Sequence, residues 1–378
     1  MIHQFNFPTV IRFGEGAVQE LGAYLKSKGS QRPLLVTDAV VAKLAFFEKI
    51  MDALRQEGLT PELFCDISKN PVKSDVLKGN EAYHAHDSDA IVGLGGGAAM
   101  DVARSVALSI NNRRDLFDYD DLIGGDKYVT EPIPLFVTIP TTSGTGSEVG
   151  RSAIISDDVT KKKRILFHPT LMAQIVFADP ELTYELPGPV TAATGMDALT
   201  HNMEAYLAKN YHPMADGIAL EGIRLIMQSL ETAVNRPDAE SRSKMLLGSM
   251  MGAVAFQKGL GIVHSMAHPL SSLLDMHHGL ANAICIPYGL RFNIEGFEDR
   301  FATMGQVMGL FAPTGDAVIQ TLLNLNRKIG LPTRLGEAGV IAGHIEDLAT
   351  LAEEDFAHPN NPKPVSREDF VKLYTEAL

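Results

Sequence analysis

Asp197 and His201 stand four residues apart in the segment Thr194-Gly195-Met196-Asp197-Ala198-Leu199-Thr200-His201-Asn202-Met203-Glu204. On a helix that spacing puts a carboxylate and an imidazole on one face, where they can chelate a single ion. A second stretch, Gly261-Ile262-Val263-His264-Ser265-Met266-Ala267-His268-Pro269-Leu270, repeats the interval with two histidines, and Asp275-Met276-His277-His278-Gly279-Leu280-Ala281-Asn282 follows it. Four of the 12 histidines thus fall between 264 and 278, in an otherwise apolar stretch. One histidine on an apolar helix is usually a hydrogen-bonded core residue. This cluster, taken with Asp197, reads as a metal site. Only Cys65 and Cys285 are present, too few for a thiolate site or a disulfide framework, so nitrogen and oxygen must hold any ion.

A different chemistry is written in the first half. Ala90-Ile91-Val92-Gly93-Leu94 runs into Gly95-Gly96-Gly97-Ala98-Ala99-Met100-Asp101, after which Val102, Val106 and Ile110 keep helical spacing. Glycines between a strand and a helix let backbone N–H groups approach a phosphate, and the helix dipole adds to the attraction. The spacing is not that of the common G-x-G-x-x-G fingerprint, and an unliganded glycine turn would look the same. Leu34-Leu35-Val36-Thr37 ends in Asp38, a carboxylate able either to accept ribose hydroxyls or simply to cap a helix. Phe136 to Pro140 leads into Thr141-Thr142-Ser143-Gly144-Thr145-Gly146-Ser147-Glu148, whose hydroxyls and glycines suit a pyrophosphate, or a polar surface loop. Three such loops, each after a strand, favour a dinucleotide.

The elements that must carry these residues differ between the halves. Up to about residue 185, β-branched runs at Pro33 to Thr37, Ala90 to Leu94, Ile133 to Ile139 and Ile175 to Ala178 alternate with helical patterns, the grammar of βαβ units and a parallel, Rossmann-like sheet. After Leu186-Pro187-Gly188-Pro189, long helical patterns take over at Thr191 to Lys209, Pro213 to Ala233, Ser241 to Gln257 and Gly315 to Ile329. The expectation is an α/β dinucleotide-binding domain over 1–185 and an all-helical, metal-binding catalytic domain over 186–378. The length of 378 residues fits two such cores. A hydrophobic share of 45% and a charged share of 21% exclude disorder and collagen-like sequence. No apolar run reaches the roughly 18 to 20 residues of a membrane span. The N-terminus lacks the basic and apolar regions of a signal peptide, so the cytoplasm is expected. A net charge of −13 argues against nucleic acid or anionic lipid as partner and for a small molecule.

Together, Gly95-Gly96-Gly97 with Asp101, the Thr141 to Val149 loop, Gly195-Met196-Asp197-Ala198-Leu199-Thr200-His201 and the His264 to His278 stretch resemble the iron-containing (group III) alcohol dehydrogenases, a family that includes lactaldehyde reductase, 1,3-propanediol dehydrogenase and butanol dehydrogenases. The resemblance runs from Phe13-Gly14 to Asn361-Pro362-Lys363-Pro364 and implies the dehydroquinate synthase-like architecture of that family. Position by position it implies Asp197, His201, His264 and His278 as metal ligands, with Fe²⁺ first and Zn²⁺ or another divalent ion as the alternative. It makes His268 an additional active-site histidine near the nicotinamide. On the NAD side it implies Asp38, Asn70, Gly96, Gly97, Thr141, Thr142, Thr145 and Lys163 as contacts, and Ala98 and Asp101 of the glycine run go with them. Two departures stand out: Ala98-Ala99 replaces Ser-Pro or Ser-Ser and removes a hydroxyl donor, and Lys69-Asn70-Pro71 replaces Pro-Asn-Pro. A homodimer or higher homo-oligomer is typical of the family.

The implied reaction is hydride transfer between NAD(H) and a small primary alcohol, diol or aldehyde whose oxygen sits on the ion, with the cofactor cleft and the metal facing each other across the domain junction. His268 then either relays the alcohol proton or is a hydrogen-bonded neighbour of the ligands. A glycerol-type polyol dehydrogenase or a dehydroquinate synthase-like lyase shares the architecture but lacks this set of one Asp and three His. A metal-dependent hydrolase would use the ligands without needing the Asp38, Gly95 to Gly97 and Thr141 to Ser147 loops. A non-catalytic binding protein would need neither site.

Overall fold

The structure, a computed structural model, describes Phe7 and Thr9–Leu378. By its internal contacts the chain separates into two compact units: Phe7–Thr142 with Gly146–Thr183, and Ser143–Thr145 with Tyr184–Leu378.

The first unit runs β1 (Val10–Phe13), α1 (Leu21–Ser27), β2 (Pro33–Val36), α2 (Ala45–Gln56), β3 (Glu62–Phe64), α3 (Lys73–Ala85), β4 (Ala90–Gly95), α4 (Gly97–Asn111), β5 (Leu135–Pro140), β6 (Ser152–Ser156), β7 (Lys163–Phe167) and β8 (Ile175–Ala178). Six strands form a parallel sheet in the order β1-β8-β5-β4-β2-β3. Successive side chains of a strand point to opposite faces, and here both faces are covered. Leu34, Val36, Ile91 and Phe136 enter one core with Val102 and Val106 of α4. Their neighbours Leu35, Val92, Val137 and Phe177 enter the other with Phe47 and Leu54 of α2. That is why the inner strands read as unbroken apolar runs, and all four runs singled out in the sequence are strands here, within two residues at each end. Short β1 and β3 and the antiparallel β6–β7 pair lie outside those four runs. Beyond β2 the chain moves to β3 on one side, and beyond β4 to β5 on the other. The carboxyl ends of β2 and β4 therefore flank the topological switch point, where open α/β sheets bind ligands.

The second unit contains α5 (Gly188–Leu207), α6 (Pro213–Asn235), α7 (Ala239–Ala255), α8 (Ile262–Leu274), α9 (His278–Phe292), α10 (Glu298–Val307), α11 (Gly315–Lys328), α12 (Ile345–Glu353) and α13 (Arg367–Ala377), with no strand among its described residues. One core built from Met196, Leu199, Met203, Ile223, Ile226, Met266, Leu270, Ile284 and Ile286 unites them. Helix α5 is buried on nearly every side. Close approach there depends on glycine: a Cβ on Gly195 would come within 2.3 Å of Leu230 Cδ1 on α6. Among the described residues no single helix is long and apolar enough to cross a membrane.

Candidate metal centre

Helix α5 carries Asp197 and His201 one turn apart, α8 carries His264 and His268 one turn apart, and His278 opens α9. Gly279 explains how α9 reaches the others, because a Cβ there would lie 2.3 Å from the Ala193 carbonyl oxygen. Without that side chain the first turn of α9 settles on the α5 backbone. One ligand atom from each of Asp197, His201, His264 and His278 then lies within 4.8 Å of the other three. From Asp197 Oδ1 the distances are 3.3 Å to His278 Nε2, 3.9 Å to His201 Nε2 and 4.0 Å to His264 Nε2. His201 and His264 stack with ring centres 4.8 Å apart. Asp197, His201 and His264 are buried, whereas the His278 side chain keeps 30% of its surface, so the cluster opens on that side.

The arrangement fits a cation better than it fits a hydrogen-bonded core. The Asn282 amide nitrogen donates to Asp197 Oδ1 at 2.7 Å and also lies 3.1 Å from His278 Nε2 and 3.5 Å from His264 Nε2. Asp197 Oδ1 and two imidazole nitrogens thus crowd within 3.5 Å of one amide that has only two N–H groups. A divalent ion can serve them all, and His201 as well, and one carboxylate with three imidazoles is a donor set that Fe²⁺, Zn²⁺ or Co²⁺ accepts. Protonation states agree. Burial pushes the Asp197 carboxyl up, but His201, His278, His264 and the Asn282 amide outweigh it and hold it down at about 2. Burial pulls His201 down to about 4 despite Asp197. Both are in the ligating form at neutral pH.

Two partners of this cluster escaped the sequence reading. Glu204, on α5 and only 2% exposed, accepts from His264 Nδ1 at 2.6 Å and from the backbone N–H of Val263 at 2.6 Å. Burial alone would lower His264, yet Glu204 and Asp197 outweigh it and raise it from its ordinary value. Asp355, just past α12, accepts from His268 Nδ1 at 2.7 Å, Ser265 Oγ at 2.7 Å and Ala357 N at 2.9 Å. Burial pushes its carboxyl up, but His268 and these donors outweigh that and hold it below the usual range. His268 itself stacks on His278 at 5.4 Å and packs against Phe356 at 5.3 Å, without joining the four-residue group. One signal for Glu204 was in the sequence: with Asp197 it is one of two acids in a helical run from Gly188 to Leu207 that contains no lysine or arginine.

In the other unit, Asp38 follows β2 and its Oδ1 accepts from the N–H groups of Val40 and Val41 at 2.8 and 2.9 Å, which makes it the cap of the next turn. Its second oxygen lies 3.8 Å from the point where a Gly95 Cβ would stand. Gly95 has φ +147 and so favours glycine, and Gly96 caps α4, whose first N–H groups belong to Gly97, Ala98 and Ala99. A Cβ on Gly96 would lie 3.3 Å from Thr142 Oγ1, and Thr141 N donates to Gly95 O at 3.0 Å. Asp38, Gly96, Gly97, Ala98, Thr141 and Thr142 therefore gather at the carboxyl ends of β2, β4 and β5. Val72, two residues past Asn70, bridges Ser156, and Ser156 pairs with Lys163. Asp101 faces elsewhere, accepting from Ser147 Oγ at 2.9 Å and Ile154 N at 3.1 Å beside the buried Arg104. Thr145 groups with the helical unit, where Ser249 Oγ donates to the adjacent Gly144 O.

Residues 8–180 match the family described as iron-containing alcohol dehydrogenase, and residues 191–378 match the C-terminal part of the Fe-containing alcohol dehydrogenase family. The chain is 37% identical to 4-hydroxybutyrate dehydrogenase of Cupriavidus necator, over 98% of each chain. Among solved structures it is similar to a 1,3-propanediol oxidoreductase at 31% identity, TM-score 0.95, with all of both chains covered. It is also similar to a sulfoacetaldehyde reductase from Bifidobacterium kashiwanohense in complex with NAD⁺, at 26% identity and TM-score 0.90, covering 100% of this chain and 99% of that one.

Proposed function

Because the chain belongs to the iron-containing alcohol dehydrogenase family, we propose that it transfers hydride between NAD(H) and a small primary alcohol, diol or aldehyde at an ion held by Asp197, His201, His264 and His278. The observation that carries the reading is the convergence of those four donor atoms within 4.8 Å. When bound, a divalent ion polarises the substrate oxygen and the nicotinamide exchanges the hydride. The protein's own residues supply the rest. The turn through Gly95, Gly96, Gly97 and Ala98, with Thr141 and Thr142, offers backbone and hydroxyl donors to a pyrophosphate at the switch point. Asn70, Thr145 and Lys163 are assigned to the same cofactor by family likeness, and Asp101 is assigned an indirect part, anchoring Ser147 of the third loop. Substrates carried by the relatives' names range from a hydroxy acid to a diol, so the test is turnover of C2 to C6 alcohols, diols, hydroxy acids and aldehydes with Fe²⁺-loaded protein. No turnover with any of them would sink the reading. The homo-oligomer expected from the family is part of the proposal, for sedimentation velocity to decide.

Asp38 sets the expected cofactor preference. One of its oxygens is engaged by the following turn, and the other lies 3.8 Å from the point where a Gly95 Cβ would stand. A carboxylate there accepts ribose hydroxyls and repels a 2′-phosphate. NAD should be preferred over NADP, and Asp38→Gly should narrow the ratio of kcat/KM values by about tenfold or more, some 1.4 kcal/mol per decade. A wild-type protein that already favours NADP would remove Asp38 from the site.

His268 is the proposed proton relay. Asp355 accepts from Nδ1, which leaves Nε2 as the ring atom that exchanges the proton. His268→Ala should bind a full equivalent of metal while turnover falls by about 10² or more, the usual range for a general acid–base group. Undiminished activity in the stably folded variant would exclude the role.

A further inference from the structure

Beside the ligand set named above, the buried carboxylate of Glu204 has no role yet. Glu204 lies seven residues after Asp197 and three after His201 on α5, on the same face as both. Its Oε2 meets His264 Nδ1 at 2.6 Å, while on the far side of that ring Nε2 lies 4.0 Å from Asp197 Oδ1. The imidazole is therefore held between two carboxylates of one helix. Glu204 does more than face the ring. Val263 N donates to Oε1 at 2.6 Å and His264 N to Oε2 at 3.3 Å, both from the first turn of α8. The residue that would normally cap that turn is Gly261, and a Cβ there would lie 2.9 Å from Glu204 Oε1. Gly261 leaves that turn open to Glu204 and to Asn361, whose Oδ1 accepts from Ile262 N at 3.3 Å.

We propose that Glu204 is the positioning residue of the metal centre: from α5 it fixes the tautomer, orientation and donor strength of His264 through Nδ1, and so governs how tightly the ion is retained. The inference rests on the four-residue metal site proposed above. Three physical steps support it. A hydrogen bond from Nδ1–H to a carboxylate leaves Nε2 as the lone-pair atom, the form a metal requires. Burial away from water strengthens that bond, and the negative charge behind the ring makes Nε2 a stronger donor. With Asp197 as the single anionic ligand, a divalent centre keeps a net charge of +1. Counting Glu204 makes the buried assembly neutral, which lessens the cost of keeping it out of water.

The test uses Co²⁺-loaded full-length protein, in which the visible spectrum reports the ligand field directly. Glu204→Gln keeps the shape and removes the charge, and Glu204→Asp keeps the charge but withdraws it by one methylene. In the Gln variant, Co²⁺ loss to excess chelator should quicken by about 10- to 100-fold, the range found for outer partners of metal-bound histidines. Its absorption bands should shift, and the Asp variant should fall between it and wild type. A role confined to capping α8 would lower the melting temperature of the metal-free protein yet leave spectrum and exchange rate unchanged, and that result overturns the proposal. If the Gln variant does not fold, the Asp variant decides alone, since wild-type exchange and spectrum there would overturn it equally. Wild-type protein that takes up no Co²⁺ would fail the metal-site reading itself, a result distinct from either.

Discussion

His201→Ala is expected to leave a folded protein that no longer retains its ion and whose alcohol oxidation has fallen by about a thousandfold or more, roughly 4 kcal/mol on the barrier. The ring sits at the closed end of the cluster, 3.9 Å from Asp197 and stacked on His264, so its loss removes a donor and opens a hole that water can fill. Three donors remain, of which His278 is partly exposed. Asp197→Asn should behave similarly for a different reason. Its shape is kept, but the carboxylate that three histidines and Asn282 hold ionised is replaced by a neutral amide, and the centre loses its charge-bearing ligand. NADH binding should survive in both variants, because the residues proposed to hold the cofactor lie largely in the other unit. Metal content by mass spectrometry, NADH titration and turnover on each variant check this. A full equivalent of metal with normal turnover in His201→Ala would eliminate the site.

Much of that cluster was legible because it obeys a local rule. Asp197 with His201, and His264 with His268, repeat an interval of four, and helical periodicity turns that interval into a shared face without knowledge of tertiary structure. The inner strands were legible for a related reason: burial on both faces writes continuous apolar runs such as Ala90 to Leu94. What escaped depends on contacts between distant segments. Asp355 meets His268 from 87 residues away, and no spacing announces it. Glu204 has the right interval from His201, but an acid on a helix ordinarily faces water, so its burial shows only once α8 is packed against it. The β6–β7 pair went unread because its turn is a polar loop, Asp157 accepting from Val159 N and Thr160 N, and because β7 begins with Lys163-Arg164. Asp101 belongs to the glycine run by sequence, yet lies one turn into α4, where its side chain has rotated toward Ser147 and Ile154 instead of the turn itself.

That last displacement rests on Arg104, and replacing it should cost the first unit more than any other single side chain named here. Arg104 is fully buried on α4 and donates from Nε to Leu171 O at 3.0 Å and from its terminal nitrogens to Ser147 Oγ at 2.9 Å, Ser152 O at 2.8 Å and Ser147 O. It also covers the Phe136 ring at 5.6 Å and lies 3.5 Å from Asp101. One guanidinium thus ties the third loop, the start of β6 and the approach to β8 to a single helix. Arg104→Met keeps most of the volume but orphans three carbonyls and leaves the buried Asp101 without its cation, for an expected loss of about 3–5 kcal/mol. The loss should depend on pH in a definite direction. Burial raises the Asp101 carboxyl to about 6 in wild type, with Arg104 opposing the rise, so the folded protein holds a proton that the unfolded chain releases near its ordinary, lower value. A raised acid pKa means stability falls as pH climbs through that interval. Without Arg104 the folded value rises further and the interval extends toward neutrality and beyond. At pH 5 the Asp101 contribution is nearly the same in both proteins. At pH 8 the variant alone bears the added cost. Urea unfolding of wild type and Arg104→Met at pH 5, 6.5 and 8 should therefore show a gap in stability that widens with pH. A gap that is constant across that range, or one below about 1 kcal/mol, the net size of an ordinary hydrogen bond, would mean that Arg104 does not hold the loop through Asp101 and the three carbonyls.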